Sequence, residues 1–315
     1  HEFAVIEMGA NHLGEIAYTT NLVKPDVATI VNAAAAHLEG FGNLLGVARA
    51  KSEIFKGLSK NKGLAVVNAD SQFTDYWINK LKHNNVQTFS AKKQADVYAQ
   101  DIILGMNGCA QFELVTPIGR AAISLSLPGQ HNVSNALVSA ALALHVGATL
   151  DDVRNGLMSM PHVAGRLHVK QLTNQVKILD DTYNANVGSV NAAIELLSSF
   201  AGRKILVLGD MAELGEKARY YHEQVGEYAK QKGIDHLYTL GVLSQSASAV
   251  FTDKGRHFSC LVQMVEFINQ QILPEKHDVS ILVKGSRSAR MELVVKALED
   301  SPLGKLERFR ERIAC

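Results

Sequence analysis

A chain of 315 residues, 47% hydrophobic and 20% charged, has the composition of a soluble globular protein and the length of two ordinary domains. A net charge of +1 gives no electrostatic case for nucleic acid or for an acidic membrane surface, and no apolar run is long enough to cross a bilayer. Cys109, Cys260 and Cys315 lie far apart without a CxxC pair, which argues against a disulfide framework or a zinc site; with no signal peptide in evidence, a reducing cytoplasm fits best.

In chain order, Phe3-Ala4-Val5-Ile6 reads as a buried strand beginning almost at residue 1, without an initiator Met, and hence as part of a longer protein. It runs into the polar stretch Glu7 to Glu15, where Glu7 is either a cation ligand or a strand-end carboxylate bonded to a loop amide. Val27 to Val31 reads as a second strand, His37-Leu38-Glu39-Gly40 as a polar loop at its carboxyl end, and Asn43 to Leu58 as a helix. Open α/β sheets place ligands at such strand ends. His37 and Glu39 can offer a nitrogen and a carboxylate to a divalent cation. An unmodified Lys51, on the helix beside Ala48, Ala50 and Ser52, would repel that cation; alternatively His37 caps the loop and Lys51 is a solvated helix lysine.

Leu64 to Asn68 and Val86 to Phe89 are strands flanking a helix near Thr74 to Lys82. The spacing then changes: Val97 to Ile103, Ala110 to Val115 and Ala121 to Leu127 are strands separated only by turns, an antiparallel patch on an otherwise parallel sheet. Pro128-Gly129 closes it and an apolar helix follows from Val133 to Val146. Asn132 and Asn135 share a face of its first turn, where two amides can read a heterocycle's edge or Asn132 can serve as an N-cap. A helix from Leu150 to Met158 leads to Pro161-His162-Val163-Ala164-Gly165, read as a linker that divides domains at 1–163 and 164–315.

In the second domain Val176 to Leu179 is a strand delivering Asp180-Asp181-Thr182-Tyr183-Asn184-Ala185-Asn186 into a loop before the amphipathic helix Ser189 to Phe200. So dense a polar run is either a solvated loop or a ligand site. Strands at Lys204 to Leu208, His236 to Leu240 and Val279 to Val283 alternate with helices near Lys217 to Lys232, Ser244 to Phe251, Leu261 to Ile272 and Ala289 to Leu298, the pattern of a doubly wound parallel sheet. Two loops carry chemistry by position: Gly209 to Gly215 after one strand, and Lys284-Gly285-Ser286-Arg287-Ser288 at the start of the last helix, which reads either as an anion site by backbone amides, helix dipole and two cations or as a Gly-containing turn with surface cations. No GxGxxG fingerprint occurs, which weakens an oxidoreductase reading.

The ordered set EMGANHLGEI, NAAAAHLEGFG, ARAKSEIF, GQHNVSNAL, GRL, DDTYNAN, GDMAELGE and LVKGSRSARME resembles the Mur ligase family of ATP-dependent peptide ligases, with the match running from Glu7 to Glu292. The resemblance implies an α/β fold: an incomplete, mostly parallel central ATPase-like domain with the antiparallel patch, then a doubly wound Rossmann-like C-terminal domain. It implies ATP and Mg2+ as cofactors, UDP-MurNAc-tripeptide and D-Ala-D-Ala as substrates, a monomer, and an amide formed through an acyl phosphate. By position, Glu7 and His37 match magnesium ligands and Lys51 a lysine carbamylated in several members, which turns a cation into a carboxylate. Asn132 and Asn135 match the adenine pair, Arg166 the arginine near the ATP phosphates and Asp181 the aspartate on the ribose. Asn184, Asn186, Lys284, Ser286 and Arg287 face the dipeptide, whose carboxylate falls to Lys284 or Arg287 by the helix-terminus argument, and closure about the linker would assemble the site.

The departures are a missing GxxGK[ST] phosphate loop, a missing UDP-sugar-binding domain, and Val187 where the family's Asn-Ala-Asn is followed by proline. The chain as given is therefore expected to be an inactive portion of an active enzyme. Two alternatives are a non-catalytic nucleotide- or dipeptide-binding module and another amide ligase of the superfamily, such as a folylpolyglutamate synthetase.

Overall fold

A computed structural model describes residues 1–33, 38–59, 62–105, 107–160, 163–273 and 277–302, with backbone alone at 38 and 39. His37, Pro161, His162 and Cys315 lie outside these residues. The chain divides into two compact units, one of His1–Gly105 with Cys109–Met160, the other of Pro161–Cys315 with Met106–Gly108.

The first unit runs α1 (Glu15–Val23), β1 (Val27–Ile30), α2 (Leu38–Phe41), α3 (Leu44–Lys51), β2 (Leu64–Asn68), α4 (Thr74–Lys80), β3 (Asn85–Ser90), β4 (Val97–Leu104), β5 (Cys109–Thr116), β6 (Gly119–Pro128), α5 (His131–His145) and α6 (Leu150–Met158). Its sheet follows chain order, β1 to β6; the first four strands are parallel and β4–β5–β6 antiparallel. Successive residues of β2 face opposite cores. Val66 packs with Phe89, Val133 and Leu137, whereas Ala65 and Val67 pack with Ala48, Phe55 and Trp77. Trp77 is fully buried, and its indole N–H donates to the Ala48 carbonyl at 3.1 Å.

Three local readings change here. Phe3–Ile6 forms no strand; Phe3, Val5 and Ile6 are 66%, 98% and 51% exposed, because β1 pairs with β2 and no described strand lies beside this segment. The helix expected from Asn43 to Leu58 is α only to Lys51 and continues as a 3-10 helix, Ser52–Gly57. Its tightening brings the Glu53 carboxylate to the start of α1, where it accepts from the Gly14 and Ala17 amides at 2.9 and 3.3 Å, and sets Gly57 against Thr20 with no room for a Cβ. The loop read at His37 to Gly40 includes the single turn α2.

The second unit runs β7 (His168–Gln171), β8 (Val176–Asp181), α7 (Val187–Ser199), β9 (Arg203–Gly209), α8 (Ala218–Gln231), β10 (His236–Leu240), α9 (Gln245–Val250), β11 (Gly255–Phe258), α10 (Leu261–Ile272), β12 (Val279–Lys284) and α11 (Glu292–Asp300). Its sheet order is β11-β10-β9-β12-β8-β7, parallel except for β7. Alternate residues of β9 and β12 face two separate cores. Leu206, Leu208 and Leu282 pack with α7, α8 and α9, while Ile205, Val207, Ile281 and Val283 pack with α10 and α11. Helices therefore cover both faces, as in a doubly wound sheet. The short edge strands β7 and β11 escaped the sequence reading because each has only four residues.

The last helix also starts later than expected. A 3-10 turn, Arg287–Ala289, follows the Lys284 loop; Arg290 then adopts φ 51°, and α11 begins at Glu292. The loop after β9 is anchored to α8 by His222, which is fully buried. Its Nε2 accepts from the Met211 amide at 2.9 Å and its Nδ1 donates to the Ala218 carbonyl at 2.8 Å, fixing the neutral ring. Burial, more than the opposing pull of Ala218 and Asp210, holds its pKa below the ordinary value.

Because the folded imidazole is the weaker base, the unfolded chain takes up the proton first. The contribution of this pair is complete above an ordinary histidine pKa of about 6.5 and declines as pH falls below it. Thermal unfolding across mildly acid pH should show this decline in the second unit. His222→Gln, which keeps an acceptor for Met211 without a basic ring, should flatten it.

Candidate functional site

At the carboxyl edge of the second sheet, four adjacent strand ends are tied side by side. Lys284, the last residue of β12, lies in register with Asp181, the last residue of β8. Both are buried, and the Lys284 Nζ sits 2.5 Å from Asp181 Oδ2 and 2.8 Å from the Asn184 carbonyl. Burial pulls the ammonium below the ordinary lysine pKa and the Arg166 charge adds to that; Asp181 pushes it back up by charge and hydrogen bond. On the other side of β12, the Ser286 amide donates to the Asp210 carbonyl at 2.9 Å. The Asp210 carboxylate in turn accepts from the amides of Val242, Leu243 and Ser244 at 3.1, 3.0 and 2.8 Å, securing the loop after β10. Gly241, at φ 132°, lets that loop approach; a Cβ there would meet Asp210 at 2.3 Å.

The DDTYNAN run folds around the Lys284 ammonium. Asp180 is buried and takes the Thr182 hydroxyl at 2.7 Å and the Lys170 Nζ at 3.5 Å. Asn186 is the N-cap of α7; its Oδ1 accepts from the Ser189 amide while Ser189 Oγ accepts from the Asn186 amide. Val187 is thus the first residue of α7, a position where proline would supply rigidity without losing a bond. Asn184 is exposed, its Oδ1 turned to the Ala185 amide. Gly165, at φ 71°, packs against the Tyr183 amide and the Thr182 hydroxyl and accepts from the Tyr183 amide at 3.0 Å, and the exposed Arg166 beside it lays its guanidinium over the Tyr183 ring, 4.2 Å from its centre.

The structure therefore brings Arg166, Asp181, Asn184, Asn186, Lys284, Ser286 and Arg287 into loops of one sheet edge, but in different conditions. Lys284 and Asp181 neutralise each other in the interior. Ser286 is buried and its hydroxyl meets that of Ser288 at 3.1 Å. Arg287 stands out with its side chain 67% exposed, paired with Glu292 at 3.2 Å.

In the first unit, Asn132 and Asn135 stand in the first turn of α5 as a linked pair. Asn135 Nδ2 donates to Asn132 Oδ1 at 3.0 Å and Asn132 Nδ2 to the Pro128 carbonyl at 2.8 Å, while the N-cap position belongs to Gln130. They line a shallow pocket with Leu125, Ser126, Leu127, Ala136, Ser139, Leu157 and Met160, apolar walls with a polar lip. Lys51 closes α3, half-buried; burial lowers its pKa and the charge of Glu7, an exposed residue, opposes that shift. Among the described residues no three His, Cys, Asp or Glu side chains converge as a metal cluster. The loop Gly209 to Gly215 stands out by position, and in the structure its Asp210 gathers three backbone amides; the parts of His222 and Glu292 rest on partners in other elements, which spacing does not reveal.

The chain thus offers an amide-lipped pocket in one α/β unit and a row of tied loops at the strand ends of the other. Comparison with known proteins gives the family. Residues 1–143 match the Mur ligase middle domain and residues 165–287 the Mur ligase, glutamate ligase domain. The chain is 45% identical over 302 residues to the UDP-N-acetylmuramoyl-tripeptide–D-alanyl-D-alanine ligase of Escherichia coli strain K12, covering 96% of this chain and 66% of that protein. It superposes on a crystal structure of MurF from Acinetobacter baumannii with a TM-score of 0.90 at 35% identity, covering 96% of this chain and 65% of the other. On MurF ligase from Thermotoga maritima in complex with ADP the TM-score is 0.80 at 30% identity, with 95% and 67% covered. The chain belongs to the Mur ligase family, and spans about two thirds of the length of these relatives.

Removing one partner of a buried ion pair leaves the other charge stranded in the interior. Asp181→Ala should therefore destabilise the second unit by about 3–5 kcal/mol. The double change Asp181→Ala with Lys284→Met should cost clearly less, as measured by denaturant unfolding.

Proposed function

We propose that this chain carries the adenine-binding and acceptor-binding parts of an ATP-dependent amide ligase of peptidoglycan precursor synthesis, acting in the cytoplasm to join D-Ala-D-Ala to UDP-MurNAc-tripeptide. What carries the reading is the 45% identity to a D-alanyl-D-alanine-adding ligase, sustained across both family domains. The tripeptide carboxylate oxygen attacks the γ-phosphorus of ATP and ADP leaves. The dipeptide amine then attacks the acyl carbon, phosphate departs, and the nitrogen gives up a proton.

In this reading Asn132 and Asn135 present their remaining amide edges to adenine at the lip of the apolar pocket. Arg166, held by stacking on Tyr183, faces the phosphates. Asp181 serves the ribose from beside Lys284, which also fixes the Asn184 carbonyl; Asn184, Asn186, Ser286 and Arg287 face the dipeptide. With Lys284 bound to Asp181, Arg287 becomes the better partner for the dipeptide carboxylate.

The donor set near Lys51 suits Mg2+. Burial favours the neutral amine, the form that adds CO2, and the resulting carbamate with Glu7 would supply oxygens of the kind this ion takes; His37, the third residue proposed for it, lies outside the described residues. Bound there, the ion would offset charge on the transferring phosphoryl group. The GxxGK[ST] loop does not occur in residues 1–315, and turnover is proposed to need it from sequence beyond this chain.

Phosphate release with ATP, Mg2+ and UDP-MurNAc-tripeptide, measured on this chain and on a version extended upstream, tests the reading. Release by the extended protein should require D-Ala-D-Ala and should not occur with glutamate as acceptor. Dependence on glutamate would identify a different ligase, and silence with every acceptor a binding module. In the extended protein Lys51→Ala should abolish release, with partial return on adding short carboxylic acids; full activity without them would remove Lys51 from the site.

A further inference from the structure

We propose that Glu292 is a positioning residue that aims Arg287 at the carboxylate of the incoming peptide; this rests on the ligase reading above. Of the two cations in the loop first read as the anion site, Lys284 is buried and taken up by Asp181 and the Asn184 carbonyl. Arg287 is exposed on a long side chain, and it pairs through Nη1 with Glu292 Oε1 at 3.2 Å.

The other end of that pair stands on a tightly packed backbone. Glu292 is the first residue of α11, where the positive end of the helix dipole favours a carboxylate. Met291 beside it is fully buried and wedged over two glycines; a Cβ on Gly209 would come within 2.6 Å of its sulfur and one on Gly285 within 2.5 Å of its Cγ. The backbone bearing Glu292 is thus clamped between the ends of β9 and β12.

The second carboxylate oxygen carries the argument further. Glu292 Oε2 is buried and meets no hydrogen-bond donor among the described residues. A carboxylate oxygen kept from water with no donor is unfavourable, and packing alone would be served better by an apolar side chain. With one oxygen on Arg287 and the other turned into the protein, the carboxylate meets the guanidinium at a single point and leaves its other N–H groups uncommitted. Held so, Arg287 keeps its remaining N–H groups for the ligand. Released, it would have to be ordered at each binding event, weakening the dipeptide more than the chemical step.

The test uses Glu292→Gln, Arg287→Ala and the double variant in the upstream-extended protein. Glu292→Gln should raise KM for D-Ala-D-Ala about tenfold. kcat should stay within about twofold and KM for ATP should not change, while loss of the helix-end charge lowers the thermal midpoint by no more than about 3 °C. In the Arg287→Ala background the second substitution should add nothing. An unchanged KM, a fully additive double variant, or an effect confined to thermal stability would overturn the proposal.

If the wild-type protein makes no use of D-Ala-D-Ala, the ligase reading fails, and a measurement on the present chain decides the positioning. The Arg287 Nε–Hε NMR signal, assigned by its loss in Arg287→Ala, should be sharp in the wild type and broadened in Glu292→Gln. Equal line widths would overturn it.

Discussion

The second unit depends on where the Lys284 ammonium lies. It sits at the end of a strand buried along its whole length, and no water shell compensates its charge. Two features of the fold do so instead: the parallel register that sets Asp181 directly beside it, and the turn of the DDTYNAN run that brings the Asn184 carbonyl over it. An ammonium in so dry a place holds its partners in one arrangement, because each alternative leaves a charge unmatched. The loop between β8 and α7 is therefore shaped from beneath, with its amide-bearing residues carried on a fixed base. The capping of α7 by Asn186 fixes the far end of the same loop.

From Lys284 the ties continue sideways. The Ser286 amide reaches the Asp210 carbonyl, the Asp210 carboxylate gathers three amides after β10, and His222 pins the Met211 amide from α8. The bonds of Lys284, Ser286 and Asp210 join the loop of one strand to that of its neighbour, so four strand ends form one connected rim, and His222 braces it from α8. Most of the donors are backbone N–H groups, which leaves side chains such as Arg287, Tyr183 and Asn184 at the solvent face. The separation is economical in chemical terms: main chain supports, side chains meet ligands.

Much of this architecture is legible in the sequence because hydrophobic periodicity and turn chemistry are local. The run of Val279 to Val283, the amphipathic helix from Ser189 and the turn-separated strands after Val97 each announce themselves within a dozen residues. Where the reading and the structure part, the deciding partner is distant. Phe3 to Ile6 has a strand's composition but no strand beside it among the described residues. The helix after Asn43 tightens where Glu53 reaches α1, a contact across some forty residues of chain. The Lys284 loop looks like a helix N-terminus until Arg290 turns left-handed and delays α11. The residue types of the candidate site were readable as motifs, whereas the sorting of Lys284 to the interior and Arg287 to the surface follows from burial, which no spacing encodes.

One further consequence follows from Trp77, which lies fully buried in the first unit with its indole bonded to Ala48 and is the chain's single tryptophan. The protein thereby carries a natural optical label on one half only. Tryptophan emission reports the packing beneath β1 and β2 and is silent about the strand-end rim of the other unit. Unfolding of the first unit can thus be followed by its own optical signal, with no probe attached.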